Sequence, residues 1–301
     1  MKLFRHGLAI SVLGGFISLF AVSAYAVDPF DNWANSPGWY AVDYPAYYKA
    51  NVFTDKDGKK KFDPKMQVVS NVFRAIYYTK SVLPNTLMLS ALIPYDKMEM
   101  TIPTGPGASS KQKASGLGDL TLVSGYMFTE TDSPKSTFGV GLFVDLPTGA
   151  YDKTKMVNAG ADVWSVRPML AYSRLFGPLD IESTLKYNMP SENSGSAMYG
   201  GAKVREGNKL IFSSYAGCFM SEKGTAMVGA HFNYQTADAS KIRGKTTPGI
   251  GARAYQIGGS FTYLPSPEFN VMLQVMNDFS TRNSTEGTLY MGRLAWYFKG
   301  S

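Results

Sequence analysis

The sequence predicts an all-β protein, a single antiparallel transmembrane β-barrel of about 12 strands. Three observations predict this fold: an N-terminal export signal, long segments in which apolar and polar residues alternate, and connections that alternate between short and long. Aromatic residues make up 14% of the chain, charged residues 18%, and there are 30 glycines. That mixture is typical of β-rich proteins with many turns.

Residues 1–26 have the three-part organisation of a cleavable secretory signal peptide, with a basic start, an apolar run and small residues before the cleavage point. A retained membrane helix is the alternative, but the apolar run Leu8–Val22 is shorter than the ~20 residues such a helix needs. We expect residues 27–38 to form a periplasmic N-terminal segment and residues 39–298 to form the barrel. The predicted location is the bacterial outer membrane.

Two-residue periodicity recurs along the mature chain. From Leu179 to Met189 the odd positions are mostly apolar and the even positions are polar, so a strand there would have one face of each kind. Many such segments exceed the ~9–11 residues with which a tilted strand crosses the hydrocarbon layer. The pattern predicts strands near residues 39–53, 62–79, 85–100, 115–130, 136–147, 159–176, 178–190, 206–220, 223–236, 250–263, 267–280 and 286–298.

Short and long connections alternate between these strands. The short links lie near residues 81–84, 131–135, 177–178, 221–223 and 264–267. The long polar stretches cover residues 54–61, 101–114, 148–158, 191–205 and 237–249, and a modest loop at 281–285 stands where a long one is due. Outer-membrane barrels place short turns in the periplasm and long loops outside. We therefore expect both termini on the periplasmic side.

Aromatic residues concentrate near the predicted strand ends, where amphipathic rings line the two membrane interfaces. We expect this position for Trp39, Tyr40, Tyr44, Tyr47, Tyr48, Tyr77, Tyr78, Tyr95, Tyr172, Tyr255, Tyr263, Trp296 and Phe298.

Composition excludes several classes of protein. Cys218 is the only cysteine, so an intramolecular disulfide cannot form. The net charge of +7 is spread along the chain, with only Lys59–Lys61 as a local run, and we expect no nucleic-acid partner. Asp55–Gly58 resembles the start of a calcium loop but lacks the downstream glutamate, which favours a hairpin tip. We expect neither a metal site nor a cofactor.

If the apolar faces meet lipid, the polar faces line the lumen. Parity places these candidates for the lumen and the solute path: Arg74, Asp119, Asp145, Arg167, Asp180, Glu182, Lys186, His231, Asn233, Gln274, Asp278 and Arg293. They could form a water-filled passage with affinity sites or a self-paired network that holds a narrow barrel together. We expect Asp119, Asp145 and Arg167 to form one cluster. Inward apolar contacts are expected from Met88, Met127, Phe143, Met169 and Met272.

Catalysis has little support in the sequence. The mature chain contains one histidine, His231, and the His-x-Ser motif of phospholipase barrels is absent. We therefore expect a protein that is not an enzyme. Two alternatives stay open: an outer-membrane lipid hydrolase, and a structural or plugged barrel whose extracellular loops are the functional part.

Four segments resemble one known family. They are Gly116-Leu117-Gly118-Asp119-Leu120 (GLGD), Asp145–Asp152 (PTGxYD), Asn158–Pro168 (N-x-G followed by Trp and Pro), and Tyr187-Asn188 followed by Glu192-Asn193. Over roughly residues 38–298 the chain resembles the outer-membrane transporter family associated with the meta-pathway of phenol degradation. The resemblance implies a barrel for passive uptake of small hydrophobic or aromatic compounds. It further implies outer-membrane lipid, such a solute and the barrel-assembly machinery as partners.

Overall fold

The computed structural model describes residues 31–33, 35–79, 85–105, 107–130, 136–220, 224–247 and 251–298. The predicted signal peptide lies outside these residues, as do the three short links at 81–84, 131–135 and 221–223. Within the described ranges, no helix is both long and apolar enough to cross a bilayer.

Twelve long strands form the wall. They are β1 (Gly38–Thr54), β2 (Met66–Tyr78), β3 (Thr86–Gly105), β4 (Leu120–Glu130), β5 (Ser136–Leu146), β6 (Ser165–Phe176), β7 (Leu179–Pro190), β8 (Lys209–Phe219), β9 (Ala226–Ala237), β10 (Arg253–Ser266), β11 (Phe269–Arg282) and β12 (Thr285–Phe298). Each strand pairs antiparallel with the next, and β12 pairs with β1 from Trp39↔Phe298 to Phe53↔Thr285. The predicted 12-stranded antiparallel barrel is confirmed.

The two ends of the barrel differ in their connections. At one end, the short-turn end, β1 begins, β12 ends and β6 joins β7 through two residues. At the other, the long-loop end, the long connections follow β1, β3, β5, β7 and β9, and all of these except the one after β5 contain short strands. The connection after β7 also contains a 3₁₀ turn. Small strands in two of these loops, at residues 204–205, 241–242 and 245–246, form a three-stranded sheet of their own.

Several strand boundaries differ from the predicted ones. The predicted loop at 101–114 is a hairpin, because β3 continues to Gly105 and Ala108–Leu117 runs back along it. The predicted strand at 115–130 therefore begins only at Leu120, and the one predicted at 159–176 begins at Ser165. At the last connection only residues 283–284 separate β11 from β12.

Strand alternation separates a lipid-type surface from the lumen. On β5, Phe138, Val140 and Leu142 are 38–46% exposed on the outside, whereas Phe143 is buried inside. The predicted inward residues Met88, Met127, Met169 and Met272 are likewise buried in the interior. The wall therefore has the apolar exterior that a bilayer requires.

For three tyrosines, the predicted position at the membrane interface is wrong. Trp39, Tyr95 and Trp296 are exposed on the outer surface, as predicted. Tyr44, Tyr48 and Tyr78, in contrast, are at most 5% exposed and lie in the lumen. They occupy even positions of β1 and β2, which face inward. Tyr44 and Tyr48 lie in the middle of β1, and Tyr78 faces inward although it ends β2.

Glycines on the inner wall make room for large side chains. Gly217 and Gly229 are directly paired on β8 and β9. A Cβ added at either position would lie 2.0 or 2.2 Å from an atom of Tyr215. The ring of Tyr215 therefore lies flat over these two glycines and is 1% exposed.

We predict that Gly229→Val destabilises the barrel by about 1–3 kcal/mol, because overpacking forces the Tyr215 ring off the wall. Urea unfolding of the refolded protein, followed by the gel-mobility difference between folded and unfolded barrel, measures this change. Gly259→Val is the matched control, since a Cβ there meets its nearest atom at 3.5 Å and the position is exposed. Equal stability of the two variants would contradict the packing role of Gly229.

Candidate functional site

The inner wall is mainly apolar along β1–β3, apart from Arg74 and Asp96, and is rich in charged side chains along β6–β8. The apolar side comes from β1–β3 and includes Val42, Val68, Val72, Ile76, Leu92 and Met98. The polar side comes from β6–β8 and includes Arg167, Asp180, Glu182, Lys186 and Lys209, all buried. In the closed barrel, β1–β3 and β6–β8 lie on different sides of the lumen. A solute in the lumen thus meets hydrocarbon on one side and charge on the other.

Asp145 and Arg167 form an ion pair on the inner wall near the long-loop end. The Nη2 atom of Arg167 lies 2.5 Å from Oδ1 of Asp145, and the hydroxyl of Thr121 donates to the same oxygen at 2.6 Å. Both Arg167 and Lys186 lie over the ring of Phe143, at 5.3 and 5.0 Å from its centroid. A charged cluster is thereby packed around one aromatic ring, the arrangement of a cation–π contact.

A second polar network lies on β9–β12. The amide of Asn233 donates to Gln256 at 3.0 Å, and Gln256 donates to Asp278 at 3.1 Å. The carboxylate of Asp278 also accepts from the hydroxyl of Tyr48 at 2.7 Å, which connects this network to β1. Two predicted lumen residues, Asn233 and Asp278, are thus connected through Gln256, which the sequence prediction did not include.

His231 is buried on the lumen side of β9. Its Nε2 lies 2.8 Å from Oγ of Ser260, and the ring of Tyr215 lies against it at 4.8 Å between centroids. Gln274 and Arg293, on β11 and β12, are also buried inside. Neither polar atom of the Gln274 side chain has a hydrogen-bond partner among the described residues.

Residues before β1 enter the lumen at the short-turn end. The backbone N–H of Asn32 donates to Glu182 at 2.9 Å, and the indole N–H of Trp33 donates to Asp180 at 3.2 Å. Asp31 lies 3.6 Å from Arg74 in an ion pair. The acidic candidates of β7 and the basic candidate of β2 therefore hold residues 31–33 inside the barrel.

Asp119 does not join the Asp145–Arg167 pair, in contrast to the predicted three-residue cluster. It lies just before β4, and its two oxygens accept from the backbone N–H groups of Gly149 and Ala161, each at 2.8 Å. Burial raises the pKa of the Asp119 carboxyl, while these two hydrogen bonds act in the opposite direction. Parity along a strand could not predict this role, because Asp119 lies outside the ladder.

The residues that carry the family resemblance pack together at this point, which we call the loop knot (Gly118, Asp119, Gly149, Gly160 and Ala161). A Cβ on Gly149 would lie 2.7 Å from backbone atoms of both Gly118 and Gly160. A Cβ on Gly160 would lie equally close to the backbone of Gly149. Glycine is needed here because three backbone segments touch directly.

Further hydrogen bonds connect the loops beside the loop knot, above the lumen. The hydroxyl of Tyr151 donates to the carbonyl of Gly195 at 2.5 Å. The carboxylate of Asp162 accepts from the N–H of Ser194 at 2.8 Å. Asn158 both accepts from and donates to the backbone of Asp152. The loop after β5 is thus hydrogen-bonded to the loop after β7. We call these two loops the roof, because they lie over the lumen at the long-loop end.

A cavity of about 180 Å³ lies between this roof and the inner wall. Its apolar lining includes Val68, Val72, Leu92 and Met98, and its polar lining includes Asp96, Asp145, Tyr151, Arg167, Asn193, Glu206 and Lys209. Lys209 pairs with Glu206 at 2.9 Å. The sequence prediction missed Asp96 and Lys209, although both occupy inward positions of their strands and parity could have found them.

We predict that Asp119→Asn loosens the roof, because the variant loses a charged acceptor for two backbone N–H groups, a change of about 2 kcal/mol. Trypsin should then cleave the intact barrel faster at Lys153 and Lys155, in the loop after β5. Asp238→Asn removes the same charge at an exposed position in another loop and serves as the control. Unchanged cleavage in Asp119→Asn would contradict the role of the loop knot.

Among solved structures, the barrel is similar to an outer membrane channel from Pseudomonas putida F1, with a TM-score of 0.81 and 17% identity over 90% of this chain and 100% of that chain. The translocator domain of autotransporter NalP from Neisseria meningitidis gives 0.49 and 11% over 93% and 94%. A FadL homologue from Pseudomonas aeruginosa gives 0.44 and 9% over 96% and 98%. The first of these likenesses shows that the chain has the fold of an outer-membrane barrel.

No curated protein matches the chain in sequence. The profile of the family described as "Putative MetA-pathway of phenol degradation" matches residues 50–294. This range includes every motif on which the resemblance was based and more than half of the chain. The chain therefore belongs to this family.

Proposed function

We propose that this protein is an outer-membrane channel for small compounds that have an aromatic or other apolar body and one polar group. The observation that carries the proposal is the two-sided cavity in the long-loop half of the lumen. Leu92 and Met98 offer it hydrocarbon contact, and the Asp145–Arg167 pair offers it hydrogen-bonding groups.

The size of the cavity supports a ring-sized solute. A cavity of ~150 Å³ lined by apolar side chains is enough to hold benzene. The cavity here, at about 180 Å³, has room for one ring with a substituent. Its polar lining would contact a hydroxyl or carboxylate on that ring, since Arg167 presents a guanidinium group to the cavity.

Family membership supports the same class of solute. The family description refers to phenol degradation, and phenol is an aromatic ring with one hydroxyl group. A channel that lets such a compound cross the outer membrane by passive diffusion would place it within reach of degrading enzymes. The solute class proposed from the cavity and the one suggested by the family agree.

A lipid hydrolase is the competing function. The hydrogen bond between His231 and Ser260 is the contact on which this function could rest. That pair lies on the lumen side of the wall, beneath Tyr215, whereas lipid would contact the opposite face. The geometry favours a channel.

We predict that Leu92→Trp slows uptake of an aromatic compound several-fold, because the indole fills the apolar side of the cavity. Uptake of labelled phenol at low external concentration would be measured in cells that lack the gene and carry either variant or wild type. Leu89→Trp is the matched control, since Leu89 lies on the same strand but is 46% exposed on the outer surface. If the deletion strain takes up phenol as fast as wild type, the channel proposal fails.

We further predict that the double variant Asn32→Ala/Trp33→Ala raises the single-channel conductance in a planar bilayer. Both side chains bond to the lumen wall next to Glu182 and Asp180, so their loss should free the short-turn end. Asn51→Ala, at an exposed position of β1 near the long-loop end, is the control. A conductance equal to that of wild type would show that residues 31–33 do not limit the passage.

A further inference from the structure

A shallow groove lies on the outer surface of the barrel, where β6 begins and β7 ends. Its floor is the apolar wall, formed by Trp164, Val166 and Met189, which are 55%, 37% and 38% exposed. Arg205 and Lys241 lie along its upper edge and belong to two different loops. The groove is therefore apolar on the barrel wall and cationic at the level of the loops.

The small three-stranded sheet brings these cations together. Arg205 pairs with Lys241 across two of its strands, and Arg243 lies in the turn before the third. Lys203 and Lys245 flank them, and all five cationic side chains are exposed. In the described part of the chain, none of the five lies within ion-pair distance of a carboxylate.

Two contacts define the geometry of the groove. The Nε of Arg205 donates to the carbonyl of Pro190 at 3.1 Å, which holds the guanidinium group at the end of β7. Glu192 also lines the groove, opposite Arg205 in a β-bridge. The groove edge thus has two cations against one carboxylate, and the remaining three cations of the small sheet add to its positive charge.

We propose that this groove binds one phosphorylated lipid of the leaflet that surrounds the long-loop end. Acyl chains lie along Trp164, Val166 and Met189, and a phosphate lies between Arg205 and Lys241. Cationic side chains at the level of lipid headgroups attract anionic lipids. Outer-membrane barrels place short turns in the periplasm and long loops outside, so the groove lies in the outer leaflet. The lipid proposed for it is a phosphorylated glycolipid of that leaflet, with lipid A as the probe. The proposal is independent of what the lumen conducts.

Native mass spectrometry of the full chain, released from detergent micelles after incubation with purified lipid A, tests the proposal. We expect wild type to retain one lipid A, and Arg205→Ala/Lys241→Ala to weaken its apparent affinity by roughly tenfold. Lys59→Ala/Lys60→Ala removes the same charge from the loop after β1, where the residues are equally exposed, and should leave retention unchanged. Gel mobility verifies that every variant is folded.

Two competitors separate the lipid from other sources of binding. Zwitterionic phosphatidylcholine should not displace lipid A, and inorganic phosphate should not displace it at millimolar concentration. Equal loss of lipid A in the control variant would overturn the proposal, because binding would then follow net charge alone. Displacement by phosphatidylcholine or by inorganic phosphate would also overturn it, since the site would then recognise acyl chains alone or a free anion rather than an anionic lipid.

Discussion

Closure of the backbone hydrogen-bond ladder is the constraint on which the rest of this structure depends. In hydrocarbon an unpaired N–H or C=O group costs several kcal/mol, so a strand protein can span a bilayer only without a free sheet edge. The pairing of β12 with β1 provides that closure. Once the sheet is closed, alternate residues must face the lumen, and the lumen of a 12-stranded barrel has to be filled or hydrated. Tyr48, Tyr215 and the inward methionines do much of this filling, which is why the glycines that face them leave space on the inner wall.

Strand parity could be predicted from the sequence because a closed sheet enforces it along its whole length. The pattern on β7, with Asp180 and Glu182 inside and Leu185 outside, follows the two-residue period in the structure. Parity has no meaning in loops, so the sequence could not predict that the carboxylate of Asp119 bonds to the backbone of two other segments. Nor could it predict that Ala108–Leu117 is a strand that forms a hairpin with the last part of β3.

The aromatic residues show how two valid rules can conflict. Nearness to a strand end favours a position at the membrane interface, whereas parity decides which side of the wall the ring occupies. Tyr78 satisfies the first rule but faces inward, and its hydroxyl accepts from Asn35 at 3.1 Å. Its neighbour Tyr77 faces outward and packs against Trp39 at 4.9 Å. Parity decides the outcome because a side chain cannot pass through a closed ladder.

The motifs that identify the family account for the packing of the roof loops more fully than for the lining of the lumen. Gly118, Gly149 and Gly160 allow three backbones to touch, and Asp119 binds two of them. None of these four residues offers a side chain that could distinguish one aromatic solute from another. The side chains that could do so come from the wall: Leu92 and Lys209 lie outside the motif segments, whereas Asp145 and Arg167 lie within them. In this chain the motif segments therefore enclose the cavity and supply its Asp145–Arg167 pair, while Leu92 and Lys209 complete the lining from strands outside the motifs.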